Sequence, residues 1–129
     1  MIEKNKIFIL DDNESVLRSL KGLLVLSGFE VEASKEPKDA ILMIKDWKPD
    51  LLILDLMMPE LGGFDVLDIL NKDEDTKDLP IIIVSAIADY GDIKEVIKKR
   101  QFNRTIVCVP KPYNFDHLLK EIKKILNRI

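Results

Sequence analysis

The alternation of short apolar runs with longer amphipathic segments constrains the fold of this chain more than any other feature. Short runs lie at 6–10, 29–32, 50–55, 81–85 and 105–109, and amphipathic stretches follow them at 13–28, 37–47, 64–72, 92–102 and 114–129. Short apolar runs are typical of strands, and the longer periodic stretches are typical of helices. Five strand–helix units in succession predict an α/β fold, a doubly wound parallel sheet with helices on both faces and right-handed crossovers.

The polarity of each run predicts its place in this sheet. The run "FEVE" at 29–32 alternates apolar and polar residues, which is typical of an edge strand with one exposed face. The runs at 50–55 and 81–85 are almost entirely apolar, so we expect central strands covered on both sides. Pro110 has no amide hydrogen for the sheet, so it should lie at the end of a strand.

The first amphipathic segment illustrates how the helices are assigned. Asn13 or Ser15 is suited to cap its start, and Gly28 is suited to end it. Its apolar residues recur at helical spacing, which predicts one buried face made of Val16, Leu20, Leu23 and Leu24.

Composition bounds the class of protein. The 129 residues, 47% of them hydrophobic, suit a single domain that spans 1–129. The net charge of −3 gives no electrostatic reason to bind nucleic acid directly. No apolar run is long enough to span a membrane, and the N-terminus does not resemble a signal peptide. Cys108 is the single cysteine, which indicates a reducing compartment and therefore the cytoplasm.

Polar residues that interrupt the apolar pattern fall directly after the predicted strands. Asp11 and Asp12 follow the first strand, Asp55 ends the third, Ser85 ends the fourth, and Lys111 follows the fifth. In an open parallel sheet the carboxyl ends of the strands form the edge where ligands bind. We therefore expect these side chains to converge on one site.

Three carboxylates in one crevice repel each other. Two unit charges about 4 Å apart interact by roughly 4 kcal/mol at an effective dielectric constant near 20. Either a carboxyl group takes up a proton or a cation lies among Asp11, Asp12 and Asp55. A hard divalent ion with oxygen ligands, Mg²⁺ or Mn²⁺, suits this set of side chains.

The same residues resemble the receiver domain of two-component response regulators. The matching motifs are "DD" at 11–12, Asp55 within "LDLMMPELGG", Ser85 within "IIIVSA", and "KP" at 111–112. The resemblance covers essentially the whole chain. It implies a flavodoxin-like sheet of strand order 2-1-3-4-5 with five helices, and a cis peptide bond between Lys111 and Pro112.

The resemblance also implies roles for individual residues. Asp55 would be the phosphoacceptor, and a carboxylate can attack a phosphoryl group to form an acyl phosphate. Asp12 and Asp55 would bind the metal directly and Asp11 directly or through water, with the Met57 carbonyl completing the shell. Lys111 and Ser85 would stabilise the phosphoryl oxygens in the transition state.

Three positions depart from the family pattern. Cys108 replaces the aromatic residue that usually lies three positions before the lysine, so the usual coupling between Ser85 and a rotating ring is missing. Met57 and Ile87 are apolar at positions that influence how water reaches the phosphoryl group. We therefore expect a comparatively long-lived phosphorylated form, whose decay should accelerate in Met57→Asn or Ile87→Glu.

The resulting functional hypothesis is a phosphoacceptor switch of a two-component phosphorelay. A histidine kinase or phosphotransfer protein would donate the phosphoryl group, and the surface of the fourth and fifth units would change for an unknown output protein. Such a chain is not an enzyme beyond its own phosphorylation and dephosphorylation, and we expect a monomer or weak dimer. One alternative is a receiver-like binding module that phosphate does not switch. Another is a small aspartate-nucleophile phosphatase, a class that requires a second aspartate where this chain has Met57.

Overall fold

A computed structural model describes residues 4–56, 62–85, 95, 97–99 and 104–127 of the protein. Its strands are β1 (Lys6–Leu10), β2 (Glu30–Ser34), β3 (Leu51–Asp55), β4 (Ile81–Ser85) and β5 (Ile106–Pro110). Four helices have both ends within the described residues: α1 (Glu14–Leu26), α2 (Pro37–Trp47), α3 (Gly63–Lys72) and α4 (Phe115–Leu126). Residues 95 and 97–99 are also helical, which places a fifth helical segment between β4 and β5.

The strands form one parallel sheet of order β2-β1-β3-β4-β5, as predicted. β2 lies at one edge with Glu30 exposed, whereas every residue of β3 and β4 is buried. Pro110 is the last residue of β5, as its missing amide hydrogen predicted. The polarity of the sequence therefore predicted correctly that β2 lies at an edge and that β3 and β4 lie in the centre of the sheet.

Two hydrophobic clusters cover the two faces of the sheet. On one face, α1 and α4 pack against strand residues such as Ile9 and Ile53. On the other face, α2 and α3 pack against residues such as Phe8 and Leu54. Successive side chains of β1 and β3 enter opposite clusters, because side chains alternate across a strand. This arrangement fixes the carboxyl ends of the central strands rigidly at one edge.

The ends of α1 follow from local chemistry. The Asn13 side chain caps the helix by accepting a hydrogen bond from the Val16 amide at 3.1 Å. Gly28 follows the helix with a φ of +100°, a conformation that glycine adopts at little cost. Leu17, Leu20 and Leu24 form the buried face. The prediction that Leu23 belongs to this face was wrong, because its side chain is 42% exposed.

The connection into α3 is tightly packed against the end of β3. Gly63 is the first residue of α3, and its amide donates a hydrogen bond to the Leu56 carbonyl at 3.2 Å. A Cβ atom on Gly63 would lie 2.5 Å from the Leu56 Cα and 3.0 Å from the Asp55 carbonyl oxygen. A glycine at this position therefore lets α3 begin directly against the strand that carries Asp55.

Among the described residues, none of the helices has the length and apolar character needed to cross a lipid bilayer.

Candidate functional site

The polar side chains that follow the strands gather at the carboxyl edge of the sheet. Asp11 comes directly after β1, Asp55 and Ser85 are the last residues of β3 and β4, and Lys111 comes directly after β5. β1, β3, β4 and β5 are consecutive neighbours in the sheet. The fold therefore brings together four residues that lie up to 100 positions apart in the sequence.

Three carboxylates form the centre of this site. One oxygen from each of Asp11, Asp12 and Asp55 lies within 4.8 Å of the others. Asp11 and Asp55 are only 2% and 5% exposed, whereas Asp12 is open to solvent. Two of the carboxylates are thus withdrawn from water. A charge in such a buried position is stable only when it is paired or solvated by the protein.

Lys111 supplies the pairing charge. Its Nζ atom donates hydrogen bonds to Asp11 Oδ2 at 3.1 Å and to Asp55 Oδ2 at 3.4 Å. The side chain is only 22% exposed, so the ion pairs are partly shielded from solvent. An ammonium group bridging two buried carboxylates holds their oxygens on the same side of the crevice.

Backbone contacts hold these side chains in place. The Lys111 amide donates to the Ser85 carbonyl at 2.7 Å, which joins the end of β5 to the end of β4. Asp11 Oδ1 accepts a hydrogen bond from the Asn13 amide at 2.9 Å, immediately before α1 begins. The peptide bond between Lys111 and Pro112 is cis, as the resemblance implied.

The neighbouring carboxylates raise the pKa of Lys111. Burial lowers the pKa of the Lys111 ammonium, but the hydrogen bond and negative charge of Asp11, together with those of Asp55, outweigh it and hold the pKa above its ordinary value. Lys111 therefore remains protonated throughout the neutral range. Burial also raises the pKa of the nearby Tyr113 phenol.

The site has the composition that a divalent cation requires. Three carboxylates and one ammonium group carry a net formal charge of −2, which a divalent cation would balance. All three carboxylates offer oxygen, the ligand that hard cations such as Mg²⁺ prefer. The exposure of Asp12 leaves one side of the cluster open, so water and a phosphate oxygen could complete a coordination shell.

The remaining predicted positions differ in how far the structure describes them. Ser85 is buried at the end of β4, 1% exposed. Cys108 is half-buried in β5 and packs against the cluster that contains Phe8 and Leu54. Met57 and Ile87 lie outside the described residues, and their roles stay predictions from the sequence.

Among the described residues near this site, Tyr113 is one that the sequence did not single out. Its side chain is half-buried against the cluster that contains Ile9 and Ile53, two positions after Lys111. A lone aromatic residue in a loop gives no periodic signal, and only its closeness to Lys111 in the sequence could have drawn attention to it.

Sequence comparison identifies the family. The family model of the response regulator receiver domain matches residues 7–123, so the chain belongs to this family of signalling domains. The matched range includes the three aspartates, Ser85 and Lys111.

Two relatives illustrate the kinds of protein to which this chain is similar in sequence. The chain is 30% identical over 128 residues to a probable transcriptional regulator, ycf27, of Porphyridium aerugineum, covering 99% of this chain and 50% of that protein. It is 28% identical to the polar-differentiation response regulator DivK of Brucella ovis, covering 93% of this chain and 94% of that one. The chain thus spans about half the length of the ycf27 regulators it matches.

Solved structures share the fold. The receiver domain of Francisella response regulator 1452 superposes with a TM-score of 0.84 at 25% identity, covering 97% of this chain and 98% of that one. The chemotaxis protein CheY4 of Vibrio cholerae superposes with a TM-score of 0.83 at 23% identity, covering 95% and 99%. Because the identity to CheY4 is only 23%, this similarity shows a shared fold and nothing about function.

Proposed function

We propose that this protein is a phosphoacceptor switch in which Asp55 receives a phosphoryl group from a histidine kinase or phosphotransfer protein. The observation that carries the proposal is the Lys111 ammonium shared between Asp11 and Asp55, with the Asp12 carboxylate beside them. This constellation combines a carboxylate nucleophile with fixed positive charge, which are the two requirements of phosphoryl transfer to an aspartate.

The reaction is a displacement at phosphorus. A carboxylate oxygen of Asp55 forms a bond to phosphorus while the bond between phosphorus and the donor's imidazole nitrogen breaks, and the imidazole leaves with that electron pair. Lys111 and Ser85 would donate hydrogen bonds to the equatorial oxygens, where negative charge spreads in the transition state. A Mg²⁺ or Mn²⁺ ion held by Asp11, Asp12 and Asp55 would supply further positive charge to these oxygens.

The output of the switch would lie on the fourth and fifth units. Ser85 ends β4, and Cys108 lies in the neighbouring strand β5, where it pairs with Ile83. Because Asp55 pairs with Val84 of β4, a change at Asp55 would reach both strands through the sheet. The half-buried Cys108 offers no aromatic ring to move between two positions. We propose that the signal passes through β4 and β5 to an output protein or domain. The relative ycf27 is, by its name, a probable transcriptional regulator, so control of transcription is one candidate output.

Chemical phosphorylation tests this function. The protein is incubated with Mg²⁺ and acetyl phosphate, and intact mass spectrometry is used to count phosphoryl groups. We expect a single added group that requires the metal and is absent in Asp55→Asn. Asp46→Asn, which alters an exposed carboxylate on α2, is the matched control and should be phosphorylated like the wild type.

Two other outcomes of this experiment would contradict the proposal. If Mg²⁺ binds but no phosphoryl group is added, the chain is a binding module rather than a phosphoacceptor. Phosphorylation that persists in Asp55→Asn would place the acceptor elsewhere and refute the assignment of Asp55.

A further inference from the structure

Both oxygens of the Asp11 carboxylate are hydrogen-bonded. Oδ2 accepts from the Lys111 ammonium at 3.1 Å, and Oδ1 accepts from the Asn13 amide at 2.9 Å. The residue is only 2% exposed, so a carboxylate that turned away from either donor would lose a partner without gaining water. The Asn13 amide and the Lys111 ammonium therefore fix the orientation of this carboxylate together.

The side chain of Asn13 holds the turn from which its amide donates. Asn13 is the N-cap of α1, and its backbone is extended, with φ −88° and ψ 108°. Its side-chain oxygen accepts from the Val16 amide at 3.1 Å, and its carbonyl oxygen accepts from the Leu17 amide at 3.0 Å. The amide of a cap residue has no carbonyl partner within its helix, and here it donates to Asp11 instead. One side chain thus links the start of α1 to a carboxylate of the site.

We propose that Asn13 is a positioning residue for the metal site, its side chain holding the turn that directs the residue 13 amide at Asp11. The inference rests on the proposed function only through the cation held by Asp11, Asp12 and Asp55, and it does not require that Asp55 be phosphorylated. Asp12 lies within this turn, between Asp11 and Asn13. Loosening the turn therefore displaces two of the three carboxylates and weakens the site for a divalent ion.

Substitutions at residue 13 separate the cap from other effects of the side chain. Asn13→Ala removes the acceptor and should free the turn, whereas Asn13→Ser restores an acceptor that caps helices about as well as asparagine. Asn13→Gly also lacks the acceptor but is tolerated at a cap, so it preserves the test if the alanine variant folds poorly. Asn114→Ala, the matched control, removes the equivalent cap of α4, where the Asn114 side chain accepts from the Asp116 amide at 2.7 Å.

Nuclear magnetic resonance of the ¹⁵N-labelled protein measures the turn and the metal affinity in one titration. In Asn13→Ala and Asn13→Gly we expect the dissociation constant of Mg²⁺ to rise by about three- to tenfold, the order of the effect that losing one side-chain cap has on a helix. Before metal is added, the residue 13 amide should exchange with water faster in both variants, because the carboxylate no longer holds it. Asn13→Ser and Asn114→Ala should stay within about twofold of the wild type in both measurements.

Every outcome supports or overturns the inference. An unchanged dissociation constant in Asn13→Ala and Asn13→Gly, an equal rise in Asn114→Ala, or a serine variant as weak as the alanine variant would each overturn it. Weaker binding without faster amide exchange would place the cause outside the turn and overturn it as well.

The titration also separates this inference from the proposed function. If the wild type binds Mg²⁺ but acetyl phosphate adds no phosphoryl group, the phosphoacceptor role of Asp55 fails, and the dissociation constants of the residue 13 variants still decide the inference. If the wild type is phosphorylated and the variants bind Mg²⁺ as it does, the inference alone fails. A wild type that binds no Mg²⁺ would overturn both.

Discussion

Lys111 offsets part of the negative charge that three neighbouring aspartates bring to the site. Its ammonium group contacts Asp11 and Asp55 and lies partly out of solvent. Removing the positive charge beside either buried carboxylate costs free energy, because these negative charges have lost most of their hydration. The lysine therefore contributes to the stability of the fold as well as to the proposed chemistry.

This contribution should depend on pH in the alkaline range. The pKa of Lys111 is raised in the folded protein, so the native state holds this proton more tightly than the unfolded state does. The stabilisation is fully present below the ordinary pKa of a lysine in the unfolded chain, and it is lost as the pH rises through the higher native pKa. In metal-free buffer, urea denaturation should show Lys111→Met less stable than wild type at pH 7, with the difference shrinking toward pH 11. A difference that stays constant over this range would contradict the assignment of the raised pKa.

The sequence predicted that the polar residues following the strands lie together at one edge of the sheet, and the structure places them there. Asp11, Asp55, Ser85 and Lys111 each interrupt or end an apolar run, and a parallel sheet brings such positions to one edge. Tyr113 could not be predicted in this way. Its proximity to the charged cluster depends on how the loop before α4 packs against α1, which no periodic pattern encodes.

At the level of elements, the start of α3 determines how closely that helix approaches the end of β3. Gly63 has no room for a side chain, whereas a Cβ atom on the preceding Gly62 would meet its nearest neighbour, Asp65 Oδ2, at 3.8 Å. These adjacent glycines therefore form a matched pair in which only one is required by packing.

Gly63→Ala should destabilise the protein by about 1–3 kcal/mol, the usual cost of forcing extra volume into a packed region. It should also slow phosphorylation, because relief of the clash displaces the backbone at Asp55 and Leu56. Urea denaturation and the acetyl phosphate assay measure the two effects. Gly62→Ala should change neither by a comparable amount, and equal effects of the two substitutions would show that packing against Leu56 is not the cause.

The elements themselves were largely predictable, and the differences have physical reasons. Strand β2 was placed at 29–32 but spans Glu30–Ser34, because pairing with β1 continues as far as Ser34. The buried face of α1 was assigned by spacing alone, which cannot distinguish a core position from the wall of an open groove. Leu23 was misassigned for that reason.

At the scale of the whole molecule, the sheet carries a core on each face and its charged site at one edge. The two clusters hold the strands in register, so the carboxylates meet only when the entire domain is folded. An ion that binds them binds the native state and not the unfolded chain. Metal binding should therefore stabilise the fold as a whole.

Magnesium should raise the thermal unfolding midpoint of the wild type. At a concentration about 100-fold above its dissociation constant, a ligand of the native state adds about 2.7 kcal/mol of stability. Differential scanning calorimetry with and without Mg²⁺ measures the shift, and Asp12→Ala should abolish most of it. Asp75→Ala, which removes an exposed carboxylate remote from the site, should leave the shift intact. An equal shift in both variants would mean that the ion stabilises the protein elsewhere.

We propose that Asp11, Asp12 and Asp55 hold a divalent cation beside Lys111. Anomalous scattering from a crystal of the protein soaked in Mn²⁺ locates such an ion without assuming its ligands. We predict one strong peak within coordination distance of the Asp12 and Asp55 carboxylates. A peak at another site, or no peak while the three aspartates remain ordered, would show that these aspartates do not form the metal site.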